Sequence, residues 1–270
     1  EKQEIADAIY EHYLPIVAGG DLPLTDEGAI VGIADKMDTI VGFFAVGMPP
    51  SGTADPYALR RQALGVINII LSRRYDLSLN FLIDECLASL KDVLRKPAED
   101  VKKDVLEFFR GRLQNQLISQ GYAYDTVDAV LAADIDRLVL VIEKIQALQA
   151  FRANPEFEPL SIAFKRIDNI LKDFHGGSVD VNLLSQEAEI KLFANFENIG
   201  TRVEKGIAEK DFTAALNKLA ALRSPVDAFF DSVMVMDKDE KIRFNRLSLL
   251  ADISALFHQI ADFSKIVTAG

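Results

Sequence analysis

Apolar residues recur at helical spacing in several long segments, and this periodicity constrains the fold most. The last stripe recurs mostly every three or four residues and comprises Ile242, Leu249, Leu250, Ile253, Leu256, Phe257, Ile260 and Phe263. Similar stripes run through residues 135–148, 160–174 and 190–207. Such spacing places apolar side chains on one face of an α-helix. Because no segment shows the sustained apolar–polar alternation of half-buried strands, the sequence predicts an all-α fold.

Proline and glycine mark the predicted helix ends. Asp55-Pro56 and Ser224-Pro225 place proline where a helix would begin, since the first helical position needs no N–H donor. The side chains of Asp55 and Ser224 are predicted to cap these helices. Gly121 follows an apolar stripe and suits a C-terminal cap.

The order of stripes and breaks predicts three parts. A first helical domain covers residues 1–96, and a helical connector covers residues 97–153. A second helical domain covers residues 154–270, with its boundary at Asn154-Pro155.

The composition excludes several classes of protein. Hydrophobic residues make up 49% of the chain, as in packed globular proteins. No apolar run approaches the roughly 20 residues that a membrane-spanning helix needs, so no membrane partner is expected. Cys86 is the only cysteine. This excludes an internal disulfide and a multi-cysteine zinc site, fits a reducing compartment, and predicts a small core residue.

The charge balance bears on the kind of partner. The formal net charge is −11 and the pI is about 4.8, which alone argues against nucleic acid, because phosphate binding draws on Lys and Arg. A local basic strip can nevertheless hold RNA on an acidic protein. The acidic balance also leaves open a helical scaffold that binds only protein.

Motifs for catalysis are not found in the sequence. It contains neither a Gly-x-x-x-x-Gly-Lys phosphate loop nor a Gly-x-Gly-x-x-Gly turn. Neither the serines nor Cys86 has a histidine at a spacing that suggests a nucleophilic pair. We therefore expect no catalytic residue in this chain.

Two separate blocks resemble one protein family. Residues 229–250 read FFDSVMVMDKDEKIRFNRLSLL. Residues 34–39 read ADKMDT, and residues 55–65 read DPYALRRQALG. In their order along the chain, these blocks resemble the C-terminal part of the bacterial glycyl-tRNA synthetase β-subunit family. Residues 229–250 are similar to the end of its anticodon-binding domain.

The resemblance implies a fold and a function. Residues 1–96 would form a degenerate, N-terminally truncated HD-like helical domain, and residues 154–270 a helix-bundle anticodon-binding domain. The whole enzyme would attach glycine to tRNA-Gly in an ATP-dependent reaction in the cytoplasm, as a heterotetramer of two α and two β subunits. Catalysis, with ATP and Mg, would take place in the α subunit. This chain would bind tRNA without catalysing a step and without a cofactor of its own.

The block around Asp35 leaves an alternative function open. Ala34-Asp35 looks like the last metal-binding aspartate of HD phosphohydrolases, so the alternative is a metal-dependent phosphohydrolase. Such a site needs several His and Asp ligands. The chain has no His-Asp dipeptide, and His12 is the only histidine before residue 175. We therefore expect no metal site and a structural Asp35 that pairs with Arg60 or Arg61.

The candidate tRNA-binding residues are basic or amide side chains. Arg243, Asn245 and Arg246 match the family's Arg-x-Asn-Arg-Leu motif, where Arg and Asn can contact unstacked bases and Phe244 can stack on them. Alternatively, Asn245 and Arg246 tie the preceding Val-Met-Val-Met turn to the helix. Basic residues that can contact phosphates are the remaining candidates: Arg60, Arg61, Arg73, Arg74, Lys102, Lys103, Arg110 and Arg112. For the two arginine pairs, Arg60-Arg61 and Arg73-Arg74, the alternative is pairing with Asp35, Asp38 or Asp76, or plain solvation.

Overall fold

The computed structural model describes residues 2–52, 54–172, 174 and 176–268. These residues form helices and contain no strand; Ser51 and Ala54 make an isolated bridge. The α-helices are α1 (Gln3–Glu11), α2 (Asp26–Ala45), α3 (Leu59–Arg73), α4 (Leu79–Ser89), α5 (Ala98–Ser119), α6 (Tyr124–Ala133), α7 (Leu138–Phe151), α8 (Phe157–Ile170), α9 (Glu187–Ala208), α10 (Phe212–Ala220), α11 (Arg223–Ser232) and α12 (Glu240–His258). The predicted all-α fold is confirmed. Within the described ranges, no helix combines the length and the apolar composition needed to cross a membrane.

The chain divides into two compact units. Unit 1 comprises Glu1–Gly121 and Ile135–Val141, and unit 2 comprises Tyr122–Asp134 and Ile142–Gly270. The chain therefore passes between the units more than once, which periodicity cannot reveal because it reports only local structure. The three-part division into residues 1–96, 97–153 and 154–270 stays a prediction.

Helix α2 lies at the centre of unit 1 and packs against α1, α3, α4 and α5. Met37 and Ile40 on α2, Ile67 on α3 and Phe109 on α5 are at most 1% exposed. Burial of an apolar side chain of this size stabilises a fold by about 1.5–3 kcal/mol. The core of unit 1 therefore holds α3 and α5 in fixed positions on α2.

The start of α2 is joined to α1 by a small polar cluster. The Thr25 hydroxyl accepts a hydrogen bond from the Gly28 N–H at 3.0 Å and donates to the Glu11 carboxylate. A Cβ at Gly28 would lie 2.5 Å from Glu11 Cβ, so glycine permits the close approach of the two helices. The hydrogen bond from Thr25 is the main cause that holds the pKa of Glu11 below its usual value, against the opposing effect of burial.

The predicted start of α3 is displaced, although its cap is confirmed. The Asp55 carboxylate accepts hydrogen bonds from the Leu59 N–H at 2.8 Å and the Arg60 N–H at 3.0 Å. The helix begins at Leu59 rather than at Pro56, because Ala58 has a left-handed φ of 56° that no α-helix contains. Pro56 therefore lies in the turn that precedes the helix.

Two predictions for the C-terminal helices are corrected. Ser224 does not cap α11, because the helix already begins at Arg223 and Ser224 lies within its first turn. The last apolar stripe also outlasts its helix, since α12 ends at His258. Phe263 lies in a short 3-10 helix, and its ring packs on Phe257 at a centroid distance of 5.4 Å. The stripe therefore continues through a turn rather than through a longer helix.

Unit 2 is built around α9 and α12. Helix α9 packs against α10, α11 and α12, and α8 packs against α11 and α12. The rings of Phe164, Phe257 and Phe263 form a cluster with centroid distances between 5.1 and 5.8 Å. Asp125 on α6 accepts a hydrogen bond from the Val267 N–H at 2.9 Å, which fastens the C-terminal segment to the same unit.

Candidate nucleic-acid interface

Arg246, in the second turn of α12, is the centre of a buried ionic network. It is 2% exposed, and its Nε donates a hydrogen bond to the Glu189 carboxylate on α9. Its Nη1 donates to the Asp237 carboxylate and to the Met234 carbonyl oxygen, both at 2.8 Å. The guanidinium thus fastens the loop of residues 233–239 to the first turns of α9 and α12.

The carboxylates of this network are stabilised in their ionised form. Burial alone would raise the pKa of Glu189. Hydrogen bonds from backbone N–H groups at the start of α9 and from Arg246 outweigh that effect and hold the pKa of Glu189 below its usual value. The pKa of Asp237 is also lowered, first by the hydrogen bond from the Asp239 N–H and then by Arg246. Both carboxylates therefore balance the buried guanidinium at neutral pH.

Asn245 holds a second loop against α12. Its amide donates a hydrogen bond to the Asp180 carbonyl oxygen at 3.0 Å and accepts one from the Asp180 N–H at 2.6 Å. A Cβ at Gly177 would lie 2.5 Å from Phe244 Cζ, so glycine lets this loop approach the helix. Arg246 thus ties the Val-Met-Val-Met turn to the helix, as the structural alternative predicted, whereas Asn245 holds the loop at Asp180 instead. RNA contact by either residue stays a prediction.

Two other side chains near the start of α12 reach solvent. Phe244 is 49% exposed. The Arg243 side chain is 32% exposed, donates a hydrogen bond to the Asp237 carbonyl oxygen at 2.9 Å and lies 3.6 Å from the Glu240 carboxylate. In the preceding loop, Met234 and Met236 are 71% and 57% exposed, while the valines beside them are buried. This surface offers apolar area and a guanidinium to unstacked bases. The sequence reasoning missed the two methionines, although the Val-Met-Val-Met alternation was an available signal.

The basic residues at the ends of α3 contact the protein itself. Arg60 donates to the Gly52 carbonyl oxygen at 2.6 Å, and Arg73 donates to the Pro23 carbonyl oxygen at 2.8 Å. Arg74 is exposed and ends the helix with a left-handed φ of 52°. Arg60 and Arg73 therefore hold loops against α3, a role that sequence spacing did not distinguish from phosphate contact.

The basic residues of α5 differ in their contacts with the rest of the protein. Lys102 pairs with Asp84 at 2.7 Å, and Arg110 lies 3.5 Å from Glu107. Lys103 is exposed. Lys102 and Arg110 therefore lie beside carboxylates of the protein itself.

The structure brings Arg61 and Arg112 together. Arg61 on α3 and Arg112 on α5 line one cavity of about 500 Å³ in unit 1. The Arg112 guanidinium lies over the Phe108 ring, 5.8 Å from its centroid, which supports its position. These two candidates thus share a concave surface.

Asp35 does not form the predicted ion pairs. It is exposed on α2, while the Arg60 guanidinium binds backbone carbonyl oxygens and Arg61 lines the cavity. Among the described residues, no group of three or more His, Cys, Asp or Glu side chains could hold a metal ion. Cys86 is half-buried rather than fully in the core, and burial is the main cause that raises the pKa of its thiol to about 11.

Two family models match the chain. Residues 1–132 match the model described as glycyl-tRNA synthetase beta subunit. Residues 160–268 match the model described as DALR anticodon binding domain. The second match lies within unit 2 and includes α12 and the Arg246 network.

Curated relatives match almost the whole chain. It is 59% identical over 268 residues to the protein named glycine–tRNA ligase beta subunit of Syntrophus aciditrophicus. The match covers 99% of this chain and 39% of the relative. It is 52% identical over 266 residues to the protein of the same name from Geobacter metallireducens, covering 98% and 39%. The chain thus spans 39% of the length of these relatives. These matches confirm the predicted resemblance: the chain belongs to the glycyl-tRNA synthetase β-subunit family and corresponds to the C-terminal portion of its members.

Proposed function

We propose that the chain is the tRNA-binding part of a glycyl-tRNA synthetase β subunit and that it recognises tRNA-Gly and its anticodon. The match of residues 160–268 to an anticodon-binding domain carries this proposal. The names of the relatives add the class of reaction, the ligation of glycine to tRNA. The chain supports this ATP-dependent reaction by binding and orienting the tRNA, and it catalyses no step itself.

The start of α12 supplies the contacts in this proposal. Anticodon bases leave their stack when they are read, and they then need flat or apolar surfaces and hydrogen-bond donors. Phe244, Met234 and Met236 offer apolar surface, and Arg243 offers a guanidinium. Arg246 acts as a positioning residue, because its buried network holds the loop that carries the two methionines.

The remaining parts of the reaction are proposed to lie outside this chain. Glycine activation, with ATP and Mg, takes place in a separate α subunit, and the chain itself holds no cofactor. The active assembly contains two α and two β subunits and works in the cytoplasm. In this arrangement the chain needs neither a phosphate loop nor a nucleophile, and its sequence contains no motif for either.

The test compares the binding of tRNA-Gly with that of a tRNA whose anticodon is altered. Phe244→Ala in the two-subunit enzyme removes a stacking surface and should weaken binding of native tRNA-Gly by about 1–3 kcal/mol. Binding of the tRNA with the altered anticodon should change less. Fluorescence anisotropy of labelled tRNA measures both.

Ile162→Ala is the matched control, since Ile162 is also an exposed apolar residue of unit 2 but lies on α8. Both variants are first shown to melt at the wild-type temperature. If Phe244→Ala and Ile162→Ala bind both tRNAs with wild-type affinity, the start of α12 does not read the anticodon.

A further inference from the structure

Seven of the twelve residues that line the cavity shared by Arg61 and Arg112 in unit 1 have polar side chains. The segment after α1 forms one wall, and α3 and α5 form the others. Besides the two arginines, its lining includes the amides Asn68, Asn115, Gln116 and Gln120. Arginine and amide side chains are the groups that hydrogen-bond phosphates, riboses and base edges.

The local charge of this cavity differs from that of the chain. The sequence has 41 acidic and 30 basic residues. Yet none of the described residues that line the cavity is Asp or Glu, and two are Arg. On an acidic protein, such a concave surface is where an anionic ligand meets attraction rather than repulsion.

The polar side chains form two rows. Arg61 and Asn68 lie seven residues apart on one face of α3, and Arg112, Asn115 and Gln116 follow one face of α5. Seven residues of α-helix span about 10 Å, which is longer than one phosphate group. The rows therefore suit a chain of linked phosphates better than a single anion.

Two polar atoms of the cavity lack a partner. Gln116 Nε2 donates a hydrogen bond to Asn68 Oδ1 at 2.9 Å, which joins the two rows. Two other atoms of these side chains are buried. Within the described protein, Gln116 Oε1 accepts no hydrogen bond and Arg112 Nε donates none. Unpaired buried polar atoms are unfavourable. Both side chains would therefore gain by turning toward a ligand that offers an acceptor and a donor. A ribose phosphate segment has both, in its phosphate oxygens and its 2′-hydroxyl.

We propose that this cavity is a second RNA-binding site, in which Arg61 and Arg112 hold phosphates of the bound tRNA and Gln116 accepts a hydrogen bond from a ribose or base. The proposal rests on the proposed function, since tRNA is the RNA in question. It places an RNA contact on unit 1, whereas the anticodon-binding domain lies in unit 2. Arg61 is suited to this role because it makes no ion pair or hydrogen bond with the described residues.

The test is the salt dependence of tRNA-Gly binding to the two-subunit enzyme. Arg61→Gln and Arg112→Gln should each remove one phosphate contact and reduce the slope of log affinity against log salt concentration by about 0.7–0.9. When KCl is raised from about 50 to about 200 mM, the affinity of the wild type falls by some factor. For each variant that factor should be about threefold smaller. Arg112→Lys should retain most of the wild-type slope, and Gln116→Met should weaken binding without changing the slope.

Arg95→Gln is the control, because Arg95 is an exposed arginine of unit 1 that does not line the cavity. If the wild type binds tRNA-Gly and the cavity variants keep its slope and affinity, this inference is wrong while the proposed function stands. If the wild type binds no tRNA, both are wrong. If inorganic phosphate displaces tRNA from the wild type as effectively as from the double variant Arg61→Gln/Arg112→Gln, the cavity does not bind RNA.

Discussion

Replacing Arg246 by methionine should destabilise unit 2 strongly. Methionine keeps an unbranched apolar side chain but removes the guanidinium, which leaves Glu189, 1% exposed, without its counter-charge. The Met234 carbonyl oxygen and the Asp237 carboxylate also lose a donor. Breaking one side of a buried ion pair costs about 3–5 kcal/mol. That is a large part of the roughly 5–15 kcal/mol by which a domain is stable.

A second substitution separates the ionic cost from lost packing. Glu189→Gln in the Arg246→Met background removes the uncompensated charge while an oxygen remains to accept the hydrogen bonds from the Ser185 and Gln186 N–H groups. The double variant should therefore regain about 1–3 kcal/mol relative to Arg246→Met alone.

Acid should reduce the difference between wild type and Arg246→Met. The pKa values of Glu189 and Asp237 are lowered in the folded protein. The stability that they contribute is thus complete above their unfolded pKa values, near 4.3 and 3.9, and is lost as the pH falls through the folded values. Urea unfolding, followed by circular dichroism at pH 7 and below pH 4, measures both effects. A loss under about 1 kcal/mol for Arg246→Met at pH 7 would refute the reasoning.

Two further predictions concern single side chains. Asn245→Ala should lower the free energy of unfolding of unit 2 by about 1–3 kcal/mol, because the Asp180 backbone loses both of its partners on α12; urea unfolding checks this, and an unchanged midpoint would contradict it. Cys86 should react slowly with a thiol reagent at pH 8 in the folded protein and rapidly in urea, because the pKa of its thiol is about 11; equal rates, followed by mass spectrometry, would show that the thiol is not shielded.

Local features of the fold were predictable from the sequence. The apolar stripe of residues 242–257 lies in α12, and Asp55 caps α3 as expected. These features depend on neighbours within a few residues, so spacing and side-chain chemistry determine them. The start of α3 could not be predicted, because the left-handed φ of Ala58 has no signal in an alanine.

Long-range partners explain why the site was harder to predict. Arg246 is buried because Glu189, 57 residues earlier, lies opposite it, and Asn245 contacts Asp180, 65 residues earlier. An Arg-x-Asn-Arg motif has the same letters whether its side chains face RNA or another helix. Likewise, the shared cavity of Arg61 and Arg112 depends on how α3 packs on α5. The resemblance directs attention to the start of α12, and the structure separates the buried residues there from the exposed ones.

Chemical probing of tRNA-Gly bound to the two-subunit enzyme tests the central claim most directly. If the start of α12 contacts the anticodon, wild-type enzyme should protect the anticodon bases from base-specific reagents, and Phe244→Ala combined with Arg243→Gln should expose them again. The control variant Ile162→Ala should protect them as the wild type does. Anticodon bases that stay equally reactive with and without wild-type enzyme, while the tRNA is shown to be bound, would contradict the account.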